Sequence, residues 1–193
     1  MTMSTRLTVA TRTRAAVTAG IVLAGLLCAS PVARAGKPSR EQRIKAAFLY
    51  QFTKFVKWPS EALGDSDAPV QVCVLGADPF GSALDALDGK QTQGRKVAVR
   101  RVKTVDDALG CHLLFVGITK RSRLRDALSS LGGKPVLTVG DMPGFAKHGG
   151  MINFIVKNNK VRFEINTDAT ERSGLSMSSR LLALAQIVSD SES

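Results

Sequence analysis

The residue types that most often carry out chemistry are few in this chain, and none of them stands in a recognised catalytic pattern. His112 begins an apolar run beside Cys111, where a buried histidine with satisfied hydrogen bonds is expected rather than a general base. His148 lies in the loop AKHGGM, which has no neighbouring carboxylate or nucleophile. Asp141 stands alone after a predicted strand, and the C-terminal serines lie outside a G-x-S-x-G motif. The sequence therefore predicts a protein that is not an enzyme.

Cofactor and metal sites are not predicted either. The segment GADPFG, residues 76–81, follows an apolar run, but it lacks the G-x-G-x-x-G spacing and the lysine of a P-loop. It fits a strand-to-helix turn in which Asp78 caps the helix. Cys73 and Cys111 have no histidine or cysteine two to four residues away, the spacing typical of structural zinc sites. We expect no cofactor and no bound metal.

The N-terminus has the pattern of a secretory signal peptide. Three arginines precede the apolar run AAVTAGIVLAGLLCA, residues 15–29, which is short for a bilayer span. The following Ala-Arg-Ala matches the small residues that signal peptidase reads. We predict that residues 1–35 are cleaved and that residues 36–193 form one domain in the periplasm. An uncleaved membrane anchor and a lipoprotein modified at Cys28 are the less favoured alternatives.

The net charge favours a basic surface rather than a nucleic-acid site. The whole chain carries a formal charge of +11, and loss of the predicted leader, with its four arginines and no acidic residue, leaves +7. The basic residues are spread along the sequence, and an exported protein rarely meets nucleic acid. We therefore expect no nucleic-acid partner and a basic surface that faces anionic membranes or cell-wall polymers.

Half of the ten aromatic residues lie in one segment, KAAFLYQFTKFVKWP, residues 45–59. A capping box that begins at Ser39 and a stop at Pro59 predict a helix over this segment. Its apolar residues cover about half of the helix circumference, which is typical of a helix packed on a sheet. A stripe this wide also leaves one edge for a partner, and Tyr50 and Trp58 are the residues that we expect to be exposed there.

Four short apolar runs alternate with helical patterns and predict βαβ units in a mainly parallel sheet. These runs are VQVCVLG (70–76), KVAVRRV (96–102), CHLLFVG (111–117) and PVLTVG (135–140). Residues 151–166 then form two runs around Asn158-Asn159, which favours a β-hairpin and an antiparallel edge. Residues 176–188 have one apolar face and predict a C-terminal helix. The fold class is therefore α/β, with a mainly parallel sheet flanked by helices.

The two cysteines of the predicted domain, Cys73 and Cys111, suggest a disulfide in an oxidising compartment, with two buried thiols as the alternative. Doubly wound sheets often place the first strand beside the third. That arrangement would bring the two cysteines together, and their Cα atoms must come within about 7 Å for a bridge. We expect a structural bond, or a redox-sensitive one if it is exposed.

Five segments follow one another in an order that is specific when they are taken together. They are KAAFLYQFTKFVKWP (45–59), VCVLGADPFGSAL (72–84), CHLLFVG (111–117), GKPVLTVGDMPGFAKHGGMINF (133–154) and VRFEINTDATERSGLSMSSRLLALAQIV (161–188). Over essentially the whole predicted domain, they resemble the YfiR family of periplasmic proteins.

The resemblance implies an α/β fold, homodimers and a regulator without catalytic activity. Such proteins bind the periplasmic part of an inner-membrane diguanylate cyclase and hold its cytoplasmic domain inactive, which lowers cyclic di-GMP and biofilm formation. An outer-membrane lipoprotein is a second candidate partner. The resemblance also implies that Cys73 and Cys111 form a disulfide linked to folding and redox sensing. The second cysteine pair of some relatives has no counterpart in this chain.

Aromatic side chains commonly supply the energy of such an interface, so we predict a contact surface of Tyr50, Trp58, Phe145 and His148. Two alternatives remain at this stage. One is a periplasmic small-ligand-binding protein with a pocket at the strand ends, lined by GADPFG and residues 139–150. The other is a sensor subunit of a histidine-kinase pathway.

Overall fold

The structure is a computed structural model that describes residues 37–190. The predicted signal peptide lies outside the described residues. Within that range, no helix combines the length and the apolar character that a membrane span needs.

Seven α-helices and one 3₁₀ turn are found in the described part of the chain. The helices are α1 (Arg40–Phe55), α2 (Ser60–Leu63), α3 (Ser82–Asp85), α4 (Val105–Ala108), α5 (Arg121–Leu131), α6 (Thr167–Arg172) and α7 (Ser179–Leu182), and the 3₁₀ turn is Ala146–His148.

Ten strands are assigned over the same range. They are β1 (Val56–Lys57), β2 (Val70–Gly76), β3 (Gln91–Thr92), β4 (Arg95–Val102), β5 (Leu113–Gly117), β6 (Leu137–Gly140), β7 (Ile152–Lys157), β8 (Lys160–Asn166), β9 (Ser176–Met177) and β10 (Gln186–Val188). Eight of them form one sheet in the order β10-β8-β7-β6-β5-β2-β4-β3, while β1 and β9 pair antiparallel by themselves.

The predicted α/β fold with a mainly parallel sheet is confirmed. Along the run β4-β2-β5-β6-β7, each strand is parallel to the next one. The centre of the sheet is buried on both faces, as parallel sheets are. Strand β5 shows this directly. Leu113 and Phe115 belong to the apolar cluster that contains the buried residues of α1, and we call this face the α1 side of the sheet. Leu114 and Val116 belong to the cluster that contains the buried residues of α5, and we call that face the α5 side.

The predicted hairpin is also confirmed, although it is not the last element of the sheet. Strands β7 and β8 are antiparallel, and Asn158 and Asn159 turn the chain with φ values of 51° and 56°. Asparagine tolerates this left-handed backbone conformation. Strand β10 then pairs parallel with β8 and forms the outer edge.

The C-terminal helix is present but much shorter than the apolar pattern of residues 176–188 predicted. It begins after Ser178, whose hydroxyl accepts the Leu181 N–H, and it ends at Leu182. Residues Gln186–Val188 leave the helix and add a strand to β8, with Ile187 in register with Ile165. Pairing with the open edge of β8 gives their main-chain groups hydrogen-bond partners, which outweighs the helical pattern.

Helix α1 is the longest helix and covers the α1 side of the sheet. The predicted capping box is present, with Ser39 and Gln42 exchanging side-chain and main-chain hydrogen bonds. Leu49 and Phe52 are fully buried against the sheet. Beyond the helix, β1 pairs with β9, and the Ser178 N–H donates to the carbonyl of Phe55. The end of α1 is therefore tied to the start of α7.

The disulfide between Cys73 and Cys111 is confirmed. Strand β2 lies directly beside β5, as the strand-order argument predicted, and the two Cα atoms are 6.0 Å apart. Both cysteines are buried on the α5 side. Because the bond is not exposed to reductants in the folded chain, its position suits a structural crosslink.

His112 is a buried connector between three segments. Its Nδ1 accepts the Gln71 main-chain N–H at 2.9 Å, so Nε2 carries the proton that it donates to the Ala62 carbonyl at 3.0 Å. Its own carbonyl accepts the indole N–H of Trp58 at 3.0 Å. Burial lowers the pKa of His112, with the bond to Ala62 acting against this and the charge of Arg95 adding to it. The neutral ring is therefore the form that fits.

We expect loss of the disulfide to lower the free energy of unfolding by about 3 to 4 kcal/mol, since the bond closes an interval of 38 residues. Urea unfolding of the wild type with and without reductant measures this difference. The Cys73→Ala/Cys111→Ala variant should show the lower stability and no response to reductant. Equal stability of the wild type in both conditions would contradict the expectation.

We also expect acid to destabilise the fold through His112. Its pKa is lower in the folded chain than in the unfolded chain, so the unfolded chain binds more protons between the two values. The free energy of unfolding should therefore fall as the pH drops below about 6.5, the ordinary histidine pKa, and through the folded value. Urea unfolding over a pH series tests this. His112→Gln should flatten the profile relative to the wild type; equal slopes in the variant and the wild type would argue against it.

Candidate partner-docking surface

The structure does not bring the four predicted contact residues together. Trp58 is only 7% exposed, and it packs edge-on against His112 with ring centroids 6.1 Å apart. Its indole N–H is used inside the protein by the His112 carbonyl. The expectation that Trp58 is exposed is therefore wrong.

Phe145 is fully buried and lies on the opposite side of the sheet from Trp58. Its ring occupies the space that side chains at positions 140 and 150 would fill, because a Cβ on Gly140 or Gly150 would come within 2.5 Å or 2.1 Å of it. Phe145 also does not form part of an exposed surface. The glycines around it explain how a loop residue becomes a core residue.

Tyr50 and His148 are accessible, but they lie at separate places. Tyr50 is half-buried; its hydroxyl donates to the Gln91 carbonyl at 2.6 Å, and the ammonium groups of Lys54 and Lys90 lie 4.3 Å and 5.2 Å from the ring centre. His148 is exposed in the 3₁₀ turn, with Nδ1 2.6 Å from the Gly144 carbonyl. A partner contact at Tyr50 or His148 stays a prediction.

Another edge of α1 carries the exposed apolar surface that the wide stripe predicted. Two depressions of about 190 and 540 Å³ lie along it and share Phe48. We call this surface the α1 groove. Its apolar residues are Ile44, Phe48 and Phe55 from α1, Val156, Val161 and Phe163 from the hairpin, and Leu181 and Leu184 from the α7 segment.

The floor of the α1 groove is an aromatic cluster. Phe48 lies 5.4 Å from Phe163 and 6.2 Å from Phe154 between ring centroids, while Phe52 packs edge-on against Phe163 at 5.2 Å. Phe52, Phe154 and Phe163 are buried, whereas Phe48 is half-buried. The floor is therefore held by ring packing on both sides, and its upper face is open to a partner.

Large apolar side chains rise from the rim of this groove into solvent. Leu184 is 68% exposed and Val156 is 55% exposed, the two largest values among the exposed large hydrophobic residues of the described chain. Leu184 lies within residues 176–188, which were predicted to form a C-terminal helix with one apolar face. It is exposed because the helix ends at Leu182 and the chain turns towards β10. A pattern of apolar residues does not distinguish a face that packs within the chain from one that packs on a partner.

The charged rim of the α1 groove is basic. Four cations line it, namely Arg40, Lys160, Arg162 and Arg180, and none of them makes an ion pair with another residue of the described range. The carboxylate on the same rim, Glu41, is bound to Lys45 at 2.7 Å. An apolar floor with an uncompensated basic rim is complementary to an apolar anchor flanked by acidic residues.

The other polar groups singled out in the sequence have structural partners. Asp141 lies 3.3 Å from the buried Lys45 ammonium and links the end of β6 to α1. Asp78 accepts the main-chain N–H groups of Phe80 and Gly81 and pairs with Arg101 at 2.7 Å. Among the described residues there is no group of three or more side chains able to hold a metal ion.

A family model described as YfiR/HmsC-like matches residues 42–186 of the chain. The chain belongs to the YfiR/HmsC-like family. The match runs from the first turns of α1 to the start of β10 and includes most of the α1 groove. This family is regulatory rather than catalytic, and it points to periplasmic control of diguanylate cyclase signalling.

We expect the exposed leucine of the α1 groove to contribute little to folding. Leu184→Glu should change the free energy of unfolding by no more than about 0.5 kcal/mol, as exposed sites usually do. The same change at Leu109, which is 47% exposed on the α5 side, is the matched control. Phe163→Ala in the buried floor should instead cost about 3 to 5 kcal/mol. Urea unfolding measures all three, and a large loss in Leu184→Glu would show that this leucine is part of the core.

Proposed function

We propose that the chain is exported to the periplasm and represses an inner-membrane diguanylate cyclase by binding its periplasmic part. Repression lowers cyclic di-GMP and with it biofilm formation. The family membership supports the regulatory role and the signalling pathway. The signal-peptide pattern of residues 1–35 and the buried disulfide support the compartment.

The observation that carries this proposal is the α1 groove, with its exposed Leu184 and Val156 and its unpaired basic rim. The aromatic floor gives a partner a pocket for apolar anchors, and buried aromatic and aliphatic anchors supply most of the energy in protein interfaces. The rim selects for acidic residues around that anchor and speeds association. The occupant that we assign to the groove is the periplasmic part of the cyclase.

Repression needs only a difference in affinity between two states of the cyclase. A regulator that prefers the inactive state by about 5.5 kcal/mol shifts the balance from 1:99 to 99:1. The groove can supply such a preference if the inactive cyclase presents its apolar anchor and the active one does not. No bond is made or broken in the regulator, so the role needs no catalytic residue.

The test is deletion of the gene in the bacterium that encodes the chain, with measurement of cellular cyclic di-GMP. Deletion should raise it, and wild-type chain supplied in trans should restore it. Leu184→Glu should fail to restore it, because a carboxylate in the apolar groove meets the acidic partner surface. Leu109→Glu, the matched control on the other side of the sheet, should restore it as well as the wild type does.

Three results would contradict the proposal. Unchanged cyclic di-GMP after deletion, with the cyclase expressed, would remove the repressor role. Equal rescue by both glutamate variants would remove the α1 groove from the interface. Conversion of a dimer to a monomer by Leu184→Glu, with repression intact, would assign the groove to a second copy of the chain. The homodimer and the outer-membrane lipoprotein stay predictions from the resemblance.

A further inference from the structure

A second cavity of about 510 Å³ lies on the α5 side of the sheet, away from the α1 groove. It opens beyond the carboxyl ends of β2 and β5, where Gly76 and Gly117 line it. The segment after β4 and the first turns of α5 form its walls. Ligand pockets in proteins commonly have volumes of about 300 to 1,000 Å³, so the cavity has room for a small organic molecule.

The strand order explains why a crevice exists at this place. From β2 the chain passes to α3, which packs on the α1 side, whereas from β5 it passes to α5 on the other side. Strands β2 and β5 are neighbours, so the chain diverges to opposite faces between them. Open α/β sheets bind their ligands at such a reversal of strand order. Of the two segments that the sequence suggested for a pocket, GADPFG contributes only Gly76 to this lining, and residues 139–150 contribute none of it.

Two glycines allow the ends of β2 and β5 to approach each other closely at the floor of this crevice. The Ala77 N–H donates to the Gly117 carbonyl at 3.1 Å, so the two chains touch just beyond the strand ends. A Cβ on Gly117 would lie 2.0 Å from the Ala77 carbonyl oxygen, and one on Gly76 would lie 2.8 Å from that of Gly117. Only glycine fits at both positions, which leaves main-chain atoms at the base of the cavity.

Three cationic side chains line the crevice without a partner charge. Lys103 follows β4, and Lys120 and Arg123 belong to the start of α5. Within residues 37–190, none of the three makes an ion pair, whereas Arg101 nearby in sequence pairs with both Asp78 and Asp85. Asp126 is the one carboxylate among the lining residues. The lining therefore carries an excess of two positive charges.

The remaining walls set the shape of a matching ligand. Leu75, Val105, Ile118 and Ala127 give the crevice an apolar side, and Thr119 adds a hydroxyl beside the cations. No acidic residue lies in the first turn of α5, and no side chain caps it. The electrostatic potential in the crevice therefore favours an anion. The positive end of the α5 dipole adds to this potential, but it would not make a binding site by itself.

We propose that this crevice binds a small organic phosphate. A phosphate ester carries a charge of about −1.5 to −2 at pH 7, which matches the excess charge of the lining. Lys103, Lys120 and Arg123 hold the phosphate oxygens, and the apolar side receives the organic body. The site is separate from the α1 groove and goes beyond the repressor function proposed above.

Phenyl phosphate is the probe, titrated into the chain purified after expression of the full-length gene and followed by amide chemical shifts. We expect saturable shifts at Gly76, Gly117 and Thr119. Inorganic phosphate, which lacks the apolar body, and benzoate, which carries one carboxylate, should bind more weakly. No saturable binding of phenyl phosphate, or equally tight binding of benzoate, would overturn the proposal.

The variants Lys103→Gln and Lys120→Gln should each weaken binding about tenfold, the expected loss of one charge-assisted hydrogen bond. Lys134→Gln, at an exposed lysine beyond the other end of α5, makes the same charge change outside the crevice and should leave binding unchanged. Lys103→Arg keeps the positive charge and should retain binding. This result would show that the loss in Lys103→Gln comes from the missing charge and not from a folding defect. If all the glutamine variants, including Lys134→Gln, weakened binding equally, the effect would come from the net charge of the protein, and the proposed site would be wrong.

Discussion

The pairing of β2 with β5 is the constraint on which the rest of the molecule depends. It places the first long strand of the sheet beside a strand that comes 38 residues later, as counted between Cys73 and Cys111. The disulfide is possible only because of this pairing. The same pairing reverses the direction in which strands are added, so helices α1 and α3 cover one face while α4 and α5 cover the other. Both candidate binding surfaces follow from that division.

The two faces differ in how completely they are used. On the α5 side, the disulfide lies beneath α4 and α5, and a crevice of about 510 Å³ opens at the strand ends. On the α1 side, one long helix carries more apolar surface than the sheet can cover. The excess forms the α1 groove with Leu184 and Val156 from elements that come much later in the chain. Exposed apolar patches of this kind mark interaction sites in stable proteins.

Much of the fold could be predicted from local patterns. The capping box at Ser39, the alternation of apolar runs with helical segments, and Asn158-Asn159 each determine their own element with little help from the rest of the chain. The two cysteines of the predicted domain suggested a disulfide, and the expected strand order made the pairing of Cys73 with Cys111 geometrically possible. These features depend on neighbours in sequence or on a general rule of α/β topology.

The surface could not be predicted in the same way, because exposure depends on contacts distant in sequence. Trp58 is buried since the His112 carbonyl, far along the chain, accepts its indole N–H. Phe145 is buried since Gly140 and Gly150 leave room for its ring. Leu184 is exposed since β10 takes the following residues away to the edge of β8. The short ladder between β1 and β9 has a consequence for recognition, because it joins the end of α1 to the segment before α7 at one end of the groove. The groove walls are therefore fixed there in the free protein, and less conformational entropy is lost when a partner docks.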